Sequence, residues 1–271
     1  MTRRLRGLVD ACHPLPSLAV TLLVVLLSAA AGRDASGIAL MGCATLVGQL
    51  SVGWCNDAYD AGRDRRARRL EKPTVRGDVG ATTLWWCAAS ALVLTVPLSL
   101  AAAGPRGATA HVVAVLSAWA YDLLLKPTAL SWLPYAVSFG LLPAFVSLGL
   151  EPPIAPPGWL VVAAAVLGVA AHLANALPDL ESDAEVGAGG VVARLGRRRA
   201  TLLCLLCLVV ATAVLSANVG LPILVELAVV GLVVAGAAAV GGAGRGLFRY
   251  VVLVALLAVV LLLVSTRTAL G

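Results

Sequence analysis

Charged residues are scarce in this sequence. Asp, Glu, Lys and Arg together make up 13% of the 271 residues, whereas hydrophobic residues make up 60%. Soluble domains usually carry about 25% charged residues and about 45–50% apolar ones. At a mean hydropathy of +0.96, the chain cannot bury its apolar surface within itself and still present a polar exterior to water. The composition therefore excludes an ordinary soluble domain and indicates an integral membrane protein.

Cysteine and histidine are also sparse, at six and three residues. The one close cysteine pair, Cys204 and Cys207, lies inside an apolar run without a second pair or a nearby His. This pattern favours small side chains in helix packing and gives no indication of a disulfide framework or a zinc site. Lysine is rarer still, because 18 of the 20 cationic residues are Arg. That bias is typical of GC-rich coding and favours a bacterial source.

Long apolar runs are what the sequence has in abundance. About 20 mostly apolar residues span a bilayer as a helix, and charges and Pro/Gly clusters divide the chain into nine such runs. The predicted spans are 15–31, 38–55, 82–104, 108–125, 131–149, 158–177, 200–217, 221–241 and 248–265.

The predicted fold is therefore an all-α bundle of nine transmembrane helices. Pro14 and Pro16 open the first run and no small-residue cleavage site follows it, so we expect a retained helix rather than a signal peptide. We expect one domain over residues 1–271, made of two similar halves at about 1–130 and 131–271.

The distribution of positive charge predicts the orientation of this bundle. With nine crossings, 17 of the 20 cationic residues fall on one side, and Arg33, Arg106 and Arg267 on the other. The positive-inside rule then places the N-terminus in the cytoplasm and the C-terminus outside. The net charge of +6 follows from this asymmetry, and with no soluble basic domain to carry such a role it does not indicate a nucleic-acid partner.

Two connections on the predicted cytoplasmic side, the cap loops 56–81 and 178–199, are long and charged. Each has an Asn near the end of an apolar helix, then spaced aspartates, a Gly and a basic cluster. They lie about four helices apart, as an internal duplication would place them. Repeats of this kind tend to form a binding site where their two halves face each other.

The spacing within each segment predicts a polar stripe. On a continuing helix, Asn56, Asp57, Asp60 and Asp64 share one face. In the second segment the residues spaced for one face are His172, Asn175, Asp179 and Asp183. Pro178 is expected to kink this second helix or to begin its end.

Clustered carboxylates repel one another unless cations neutralise them. Oxygen ligands in this number, without His or Cys at ligand spacing, suit a hard divalent ion such as Mg²⁺, which shares its remaining positions with water and phosphate. The arginines nearby suit the rest of a polyanion. A diphosphate with an apolar tail would satisfy both, with its head at the cytoplasmic mouth and its tail between helices in the bilayer.

These residues resemble the UbiA superfamily of intramembrane prenyltransferases. Asn56, Asp57, Asp60 and Asp64 match its motif N-D-x-x-D-x-x-x-D in full, and Lys72-Pro73 with Gly77 is similar to the segment that follows. Asp179 and Asp183, then Gly187 and Leu195-Gly196, fit the second acidic motif. The segment with Tyr121, Lys126 and Thr128 is similar to the family's Tyr…Lys-x-Thr stretch.

The resemblance implies a prenyl diphosphate whose C–O bond breaks to give an allylic cation, which an acceptor, commonly an aromatic ring, then attacks. It implies two Mg²⁺ ions, one on Asp57, Asp60 and Asp64 with Asn56 as ligand or orienting partner, and one on Asp179 and Asp183 near Asn175. Lys126 would contact the diphosphate, as would Lys72 and Arg76 with less support. Tyr121 could stabilise the cation, and His172 could contact the acceptor or remove a proton.

Two departures from the family pattern concern the metal and the acceptor. Asn175 is followed by Ala176 where many members have Asp, and His13 stands near the start of span one where many aromatic-transfer members have Arg. The alternatives are therefore a membrane terpene cyclase of the same type that needs no acceptor, and, more remotely, a lipid binder or transporter without chemistry.

Overall fold

The structure of the protein, a computed structural model, describes residues 2–180, 190–219 and 246–257, with positions 231 and 235. Within these ranges the regular elements are all helical, as the sequence predicts, and no strand occurs. In chain order they are α1 (Arg3–Ala11), α2 (Pro14–Ala30), α3 (Ala35–Arg66), α4 (Pro73–Arg76), α5 (Ala81–Ala120), a π-helical turn (Tyr121–Leu125), α6 (Leu133–Gly140), α7 (Leu142–Ser147), α8 (Gly158–Ala176), α9 (Val191–Val219) and α10 (Gly246–Leu257).

Helix α3 joins the second predicted span and the first acidic motif into one element. It begins after Asp34, whose side chain accepts a hydrogen bond from the Gly37 amide at 2.9 Å. Its 32 residues give a length of about 48 Å, which exceeds the roughly 30 Å of a hydrocarbon core. The motif therefore lies on a helix that continues beyond the apolar layer.

Helix α5 contains two of the predicted spans, folded back on each other. Gly104 has non-helical torsions, φ 59° and ψ −176°. The Ser99 hydroxyl lies 2.7 Å from His111 Nδ1, although residues 12 positions apart in a straight helix are separated by about 18 Å. The chain therefore reverses at Gly104, which confirms the predicted pair of spans at 82–104 and 108–125.

The described helices agree with a multi-pass membrane protein. Four of them, with α5 counted once, are each long and apolar enough to cross a bilayer, and a fifth arises if α1 and α2, bent by 59°, count as one span. The predicted span 131–149 is broken into α6 and α7, because Pro143 has no N–H to continue the helical hydrogen bonding. The predicted span 221–241 lies outside the described residues apart from two positions.

Helix α8 ends sooner than the predicted second stripe requires. Its last residue is Ala176, Leu177 is a bend, and Pro178 and Asp179 form a turn. His172 and Asn175 are therefore on the helix, whereas Asp179 lies in the turn that follows it. Asp183 lies outside the described residues.

The corner between α1 and α2 packs directly on α3. A Cβ atom at Gly53 would lie 2.7 Å from the carbonyl oxygen of Cys12, so only glycine permits this approach. The Trp54 indole donates a hydrogen bond to the Leu8 carbonyl at 2.9 Å. Ala11 and Ala58 belong to one small buried cluster at the same junction. The N-terminal helix is thus held against the part of α3 that carries the motif.

This packing predicts opposite effects for two glycine substitutions on α3. Gly53→Ala should lower the free energy of unfolding by about 1–3 kcal/mol, because backbone atoms of Cys12 must move to admit the methyl group. Gly62→Ala has no atom within 4 Å of the added Cβ and should raise stability by about 0.5–1 kcal/mol through helix propensity. Thermal unfolding in detergent measures both, and equal shifts would contradict the close approach.

Candidate functional site

A cavity of about 540 Å³ opens where the last turns of α3 meet the α1–α2 corner, the π-helical turn and the end of α8. Carboxylates, lysines and amides surround one part of it, and side chains such as Leu23, Phe139 and Leu167 surround another. Of the residues that the sequence singles out, those that line it are His13, Asn56, Asp57, Asp60, Lys72, Tyr121, Lys126, Asn175 and Asp179.

Asp57 is almost completely buried, with 1% of its side chain exposed. Its Oδ1 atom accepts hydrogen bonds from Lys72 Nζ at 2.7 Å and from His13 Nε2 at 2.9 Å. Its other oxygen, Oδ2, is buried and has no hydrogen-bond partner. The protein therefore holds Oδ1 with two hydrogen bonds, while Oδ2 remains available to a ligand.

Asp60 lies one turn further along α3 and is paired with two cations. Lys126 Nζ lies 2.5 Å from its Oδ2 atom, and the Arg63 guanidinium lies 2.6 Å from the same oxygen. Lys126 comes from the end of the π-helical turn, so this ion pair fastens that turn to α3. An i,i+4 pair between Asp122 and Lys126 would be natural on an α-helix, but the structure pairs Lys126 with Asp60 instead.

Arg69 connects the two acidic segments. Its guanidinium lies 3.0 Å from Asp179 after α8, 2.9 Å from Glu71, and 3.5 Å from Asp64, which is fully buried. Burial alone would lower the pKa of Arg69, but the carboxylates of Asp179, Glu71 and Asp64 outweigh it and raise the pKa above its ordinary value. A permanently charged side chain therefore holds Asp64 and Asp179 at one end of the bundle.

The sequence does not single out Arg69. It belongs to a run of five arginines between 63 and 69, and nothing in that spacing distinguishes the member that turns inwards. Two structural features do so: α3 ends at Arg66, and the Arg69 amide donates back to the Asp64 carbonyl at 3.0 Å.

Asn56 turns its amide nitrogen towards Asp122, which accepts a hydrogen bond at 2.8 Å. Asp122 belongs to the π-helical turn, lines the cavity, and has a second oxygen that is buried without a hydrogen-bond partner. π-helical turns occur frequently at functional sites. The turn therefore adds to the site a carboxylate that neither acidic motif contains.

Three aromatic rings pack behind the second acidic segment. The ring of Tyr121 lies 5.1 Å from that of Tyr135 and 5.6 Å from that of His172, both edge-on. Asn175 donates to the Tyr135 hydroxyl at 3.3 Å, and the Ser131 hydroxyl lies 3.1 Å from His172 Nε2. Both tyrosines line the cavity, but buried His172 is not among its lining residues. His172 thus packs against the tyrosines, and its contact with an acceptor stays a prediction from the sequence.

Arg76 has a different set of partners from the one that the sequence suggests. It pairs with Asp10 on α1 and with Asp78, each at 2.6 Å, and it is not among the residues that line the cavity. The hydrogen bonds that its guanidinium donates to Asp78 and Asp10 raise the pKa of Arg76. Arg76 therefore ties α1 to α4 in this structure, and its contact with a diphosphate stays a prediction from the sequence.

The site combines carboxylate oxygens with lysine and arginine side chains. Within the described ranges no three His, Cys, Asp or Glu side chains converge as a ready metal cage, because each motif carboxylate is drawn to a basic partner. Nevertheless, Asp57 Oδ2 and both side-chain oxygens of Asp64 are buried without hydrogen bonds. Oxygens of this kind suit a hard divalent cation, and the lysines suit an anionic ligand.

Comparison with known proteins gives consistent matches. A model of the UbiA prenyltransferase family matches residues 17–251. The lycopene elongase/hydratase of Haloarcula japonica is 28% identical over 179 residues, which cover 63% of this chain and only 58% of that protein.

Solved structures show the same fold. A UbiA homologue from Archaeoglobus fulgidus bound to DMAPP and Mg²⁺ aligns with a TM-score of 0.71 at 16% identity, over 96% of this chain and 99% of its own. The same homologue bound to GPP and Mg²⁺ aligns with a TM-score of 0.69, also at 16% identity, with the same coverage.

The bridge through Arg69 predicts a loss of stability on Arg69→Gln. The substitution should lower the free energy of unfolding by about 1–3 kcal/mol, because buried Asp64 loses its cation while Asp179 and Glu71 stay partly solvated. Arg65→Gln, at an exposed position on the same run, is the matched control and should change stability little. Thermal unfolding in detergent compares the two, and an unaffected Arg69 variant would contradict the bridge.

Proposed function

Because the chain belongs to the UbiA prenyltransferase family, we propose that it transfers a prenyl group from a prenyl diphosphate to a lipophilic acceptor. The observation that carries this proposal is the cavity, whose polar part includes Asp57, Asp60, Lys72 and Lys126 and whose remaining lining is largely apolar. Such a cavity suits a ligand with a polyanionic head and a hydrocarbon tail. A carrier without chemistry would not need so many carboxylates beside an anionic head.

The carboxylates fit the Mg²⁺ that the family implies. We propose that Asp57, Asp60 and Asp64, with Asn56, hold one ion, and that Asp179 and Asp183, near Asn175, hold a second. The buried oxygens of Asp57 and Asp64 that accept no hydrogen bond support the first of these assignments. When bound, Mg²⁺ supplies positive charge that stabilises the departing diphosphate.

The basic residues of the site supply the rest of that stabilisation. Lys126 and Lys72 each contact a motif carboxylate and line the cavity, so their flexible side chains can move from the carboxylates to diphosphate oxygens. The C–O bond of the donor breaks, its electron pair leaves with the diphosphate, and an allylic cation remains. Fixed positive charge at the leaving group lowers the barrier to this ionisation.

The apolar part of the cavity protects the cation until the acceptor reacts. Side chains such as Leu23, Phe139 and Leu167 exclude water that would quench it. The face of the Tyr121 ring is suited to stabilise positive charge. The similarity to a lycopene elongase/hydratase supports a lipophilic isoprenoid acceptor, and ring closure of the donor without an acceptor is the alternative outcome.

We further propose that the site opens to the cytoplasm. Arg3 donates to Asp78 at 2.6 Å and to the Arg76 carbonyl at 2.8 Å, so the N-terminal helix lies at the same end of the bundle as the acidic motifs. The concentration of positive charge at this end supports a cytoplasmic location. The external C-terminus, the two similar halves and the bacterial source remain predictions from the sequence.

Neutralising the motif carboxylates should abolish the reaction. Asp60→Asn and Asp179→Asn are each expected to lower the rate of diphosphate release by about 100-fold or more, since charge stabilisation at the leaving group is lost. Asp34→Asn, at the opposite end of α3 where Asn caps equally well, is the matched control and should retain activity. Near wild-type release by the Asp60 variant would refute the assignment.

Removal of the metal should stop the reaction reversibly. We expect EDTA to abolish diphosphate release and excess Mg²⁺ to restore it in the wild-type protein. Mg²⁺ with a prenyl diphosphate should also raise the unfolding temperature, because a ligand that binds only the native state stabilises it. The Asp60→Asn variant should lose this thermal shift. Activity that persists through chelation would contradict a metal-dependent mechanism.

Product analysis separates transfer from cyclisation. Purified protein with Mg²⁺ is supplied with C5 to C20 diphosphates, with and without lycopene or an aromatic acceptor, and the products are read by mass spectrometry. Transfer predicts a product heavier than the acceptor by one prenyl unit. A cyclic hydrocarbon formed from the donor alone would establish the cyclase instead.

A further inference from the structure

His13 lies at the corner between α1 and α2, outside both acidic motifs. Its backbone is left-handed, with φ 52° and ψ 70°, a conformation that non-glycine residues rarely adopt and that is found preferentially at functional sites. The side chain is 38% exposed and lines the cavity. Its ring nitrogen Nε2 lies 2.9 Å from Asp57 Oδ1. An unfavourable backbone conformation therefore brings this imidazole to a motif carboxylate.

The corner that carries His13 is fixed against α3 from several directions. Gly53, one helical turn before Asp57, allows the Cys12 backbone to approach α3 closely. The Ser17 hydroxyl donates to the Cys12 carbonyl at 2.7 Å, and the Trp54 indole donates to the Leu8 carbonyl at 2.9 Å. The position of the imidazole is thus determined by packing rather than by its contact with Asp57 alone.

The two donors to Asp57 Oδ1 differ in what they can do. Lys72 is a long, flexible side chain from the connection before α4, and a bound diphosphate would compete with Asp57 for its ammonium group. His13 is short and comes from a fixed corner, so it can stay on Asp57 when Lys72 leaves. Because both donors use Oδ1, Oδ2 is left without a hydrogen bond.

We propose that His13 is a positioning residue that holds Asp57 Oδ1 and thereby directs Asp57 Oδ2 towards the divalent ion. This inference rests on the proposed function. Groups that hydrogen-bond to metal ligands fix the orientation of those ligands, and their loss typically weakens metal affinity about 10–100-fold. His13 would thus belong to the metal site although it contacts neither the metal nor the substrate.

Two variants separate the hydrogen bond from the conformation of the corner. In His13→Asn, the new residue tolerates left-handed torsions but its side chain is too short to reach Asp57. In His13→Gln, the longer side chain can place an amide N–H close to the position that Nε2 occupies in the wild type. Binding of Mn²⁺ in the presence of a non-cleavable prenyl thiodiphosphate is measured by electron paramagnetic resonance in detergent. We expect His13→Asn to weaken Mn²⁺ binding about 10–100-fold and His13→Gln to restore most of it.

Trp54→Phe is the control for packing. It removes the indole bond to Leu8, while the close approach at Gly53 and the Ser17 hydrogen bond still hold the Cys12 backbone next to His13. It should leave Mn²⁺ affinity unchanged even if the unfolding temperature falls. In activity assays His13→Asn should raise the Mg²⁺ concentration needed for half-maximal rate, with little change in the rate at saturating Mg²⁺.

The outcomes distinguish this inference from the proposed function. The wild-type protein is expected to bind Mn²⁺ and to release diphosphate. If it does so but His13→Asn binds Mn²⁺ as tightly as the wild type, the positioning role is overturned and the function stands. The same conclusion follows if His13→Gln binds Mn²⁺ as weakly as His13→Asn. Equal weakening by Trp54→Phe would likewise overturn it in favour of corner packing. A wild-type protein that releases no diphosphate from any donor overturns the function, and the inference falls with it.

Discussion

Mutual neutralisation of buried carboxylates and basic side chains is the interaction on which this structure depends. Asp57, Asp60 and Asp64 are 1%, 4% and 0% exposed, and an unpaired ionised carboxylate at such depth costs several kcal/mol. Their partners come from separate parts of the chain: Lys72 and Arg69 from the connection after α3, and Lys126 from the π-helical turn. Satisfying these charges therefore fixes the connection and the turn on α3.

The same pairing suits the function proposed above. A carboxylate that accepted a divalent ion would release a lysine or arginine, and the released cation would gain the anionic ligand. Such an exchange would leave the total number of unlike-charge contacts nearly constant, so neither state would leave a buried charge alone. A site made only of carboxylates would repel itself without metal, and one made only of cations would not bind metal at all.

The sequence predicts those features that depend on spacing along a single element. Asn56, Asp57 and Asp60 lie on one helix that continues past its span, so their common face follows from helical periodicity. Residues whose roles depend on where the chain turns were not predictable in this way. Arg69 turns inwards because α3 ends at Arg66. Arg76 instead forms ion pairs with Asp10 and Asp78, away from the cavity. Asp179 leaves the expected stripe because α8 ends at Ala176. The π-helical turn, which redirects Lys126 from Asp122 to Asp60, has no signal in the local residue pattern.

The seating of α1 has a practical consequence for handling this protein. Arg3 donates hydrogen bonds to Asp78 and to the Arg76 carbonyl, and Asp10 forms an ion pair with Arg76. These contacts lie close to the connection that carries Lys72. A purification tag or fluorescent protein fused just ahead of Arg3 would press on this junction and disturb the corner behind it. A long, flexible spacer before the first helix would relieve that crowding and leave the cavity undisturbed.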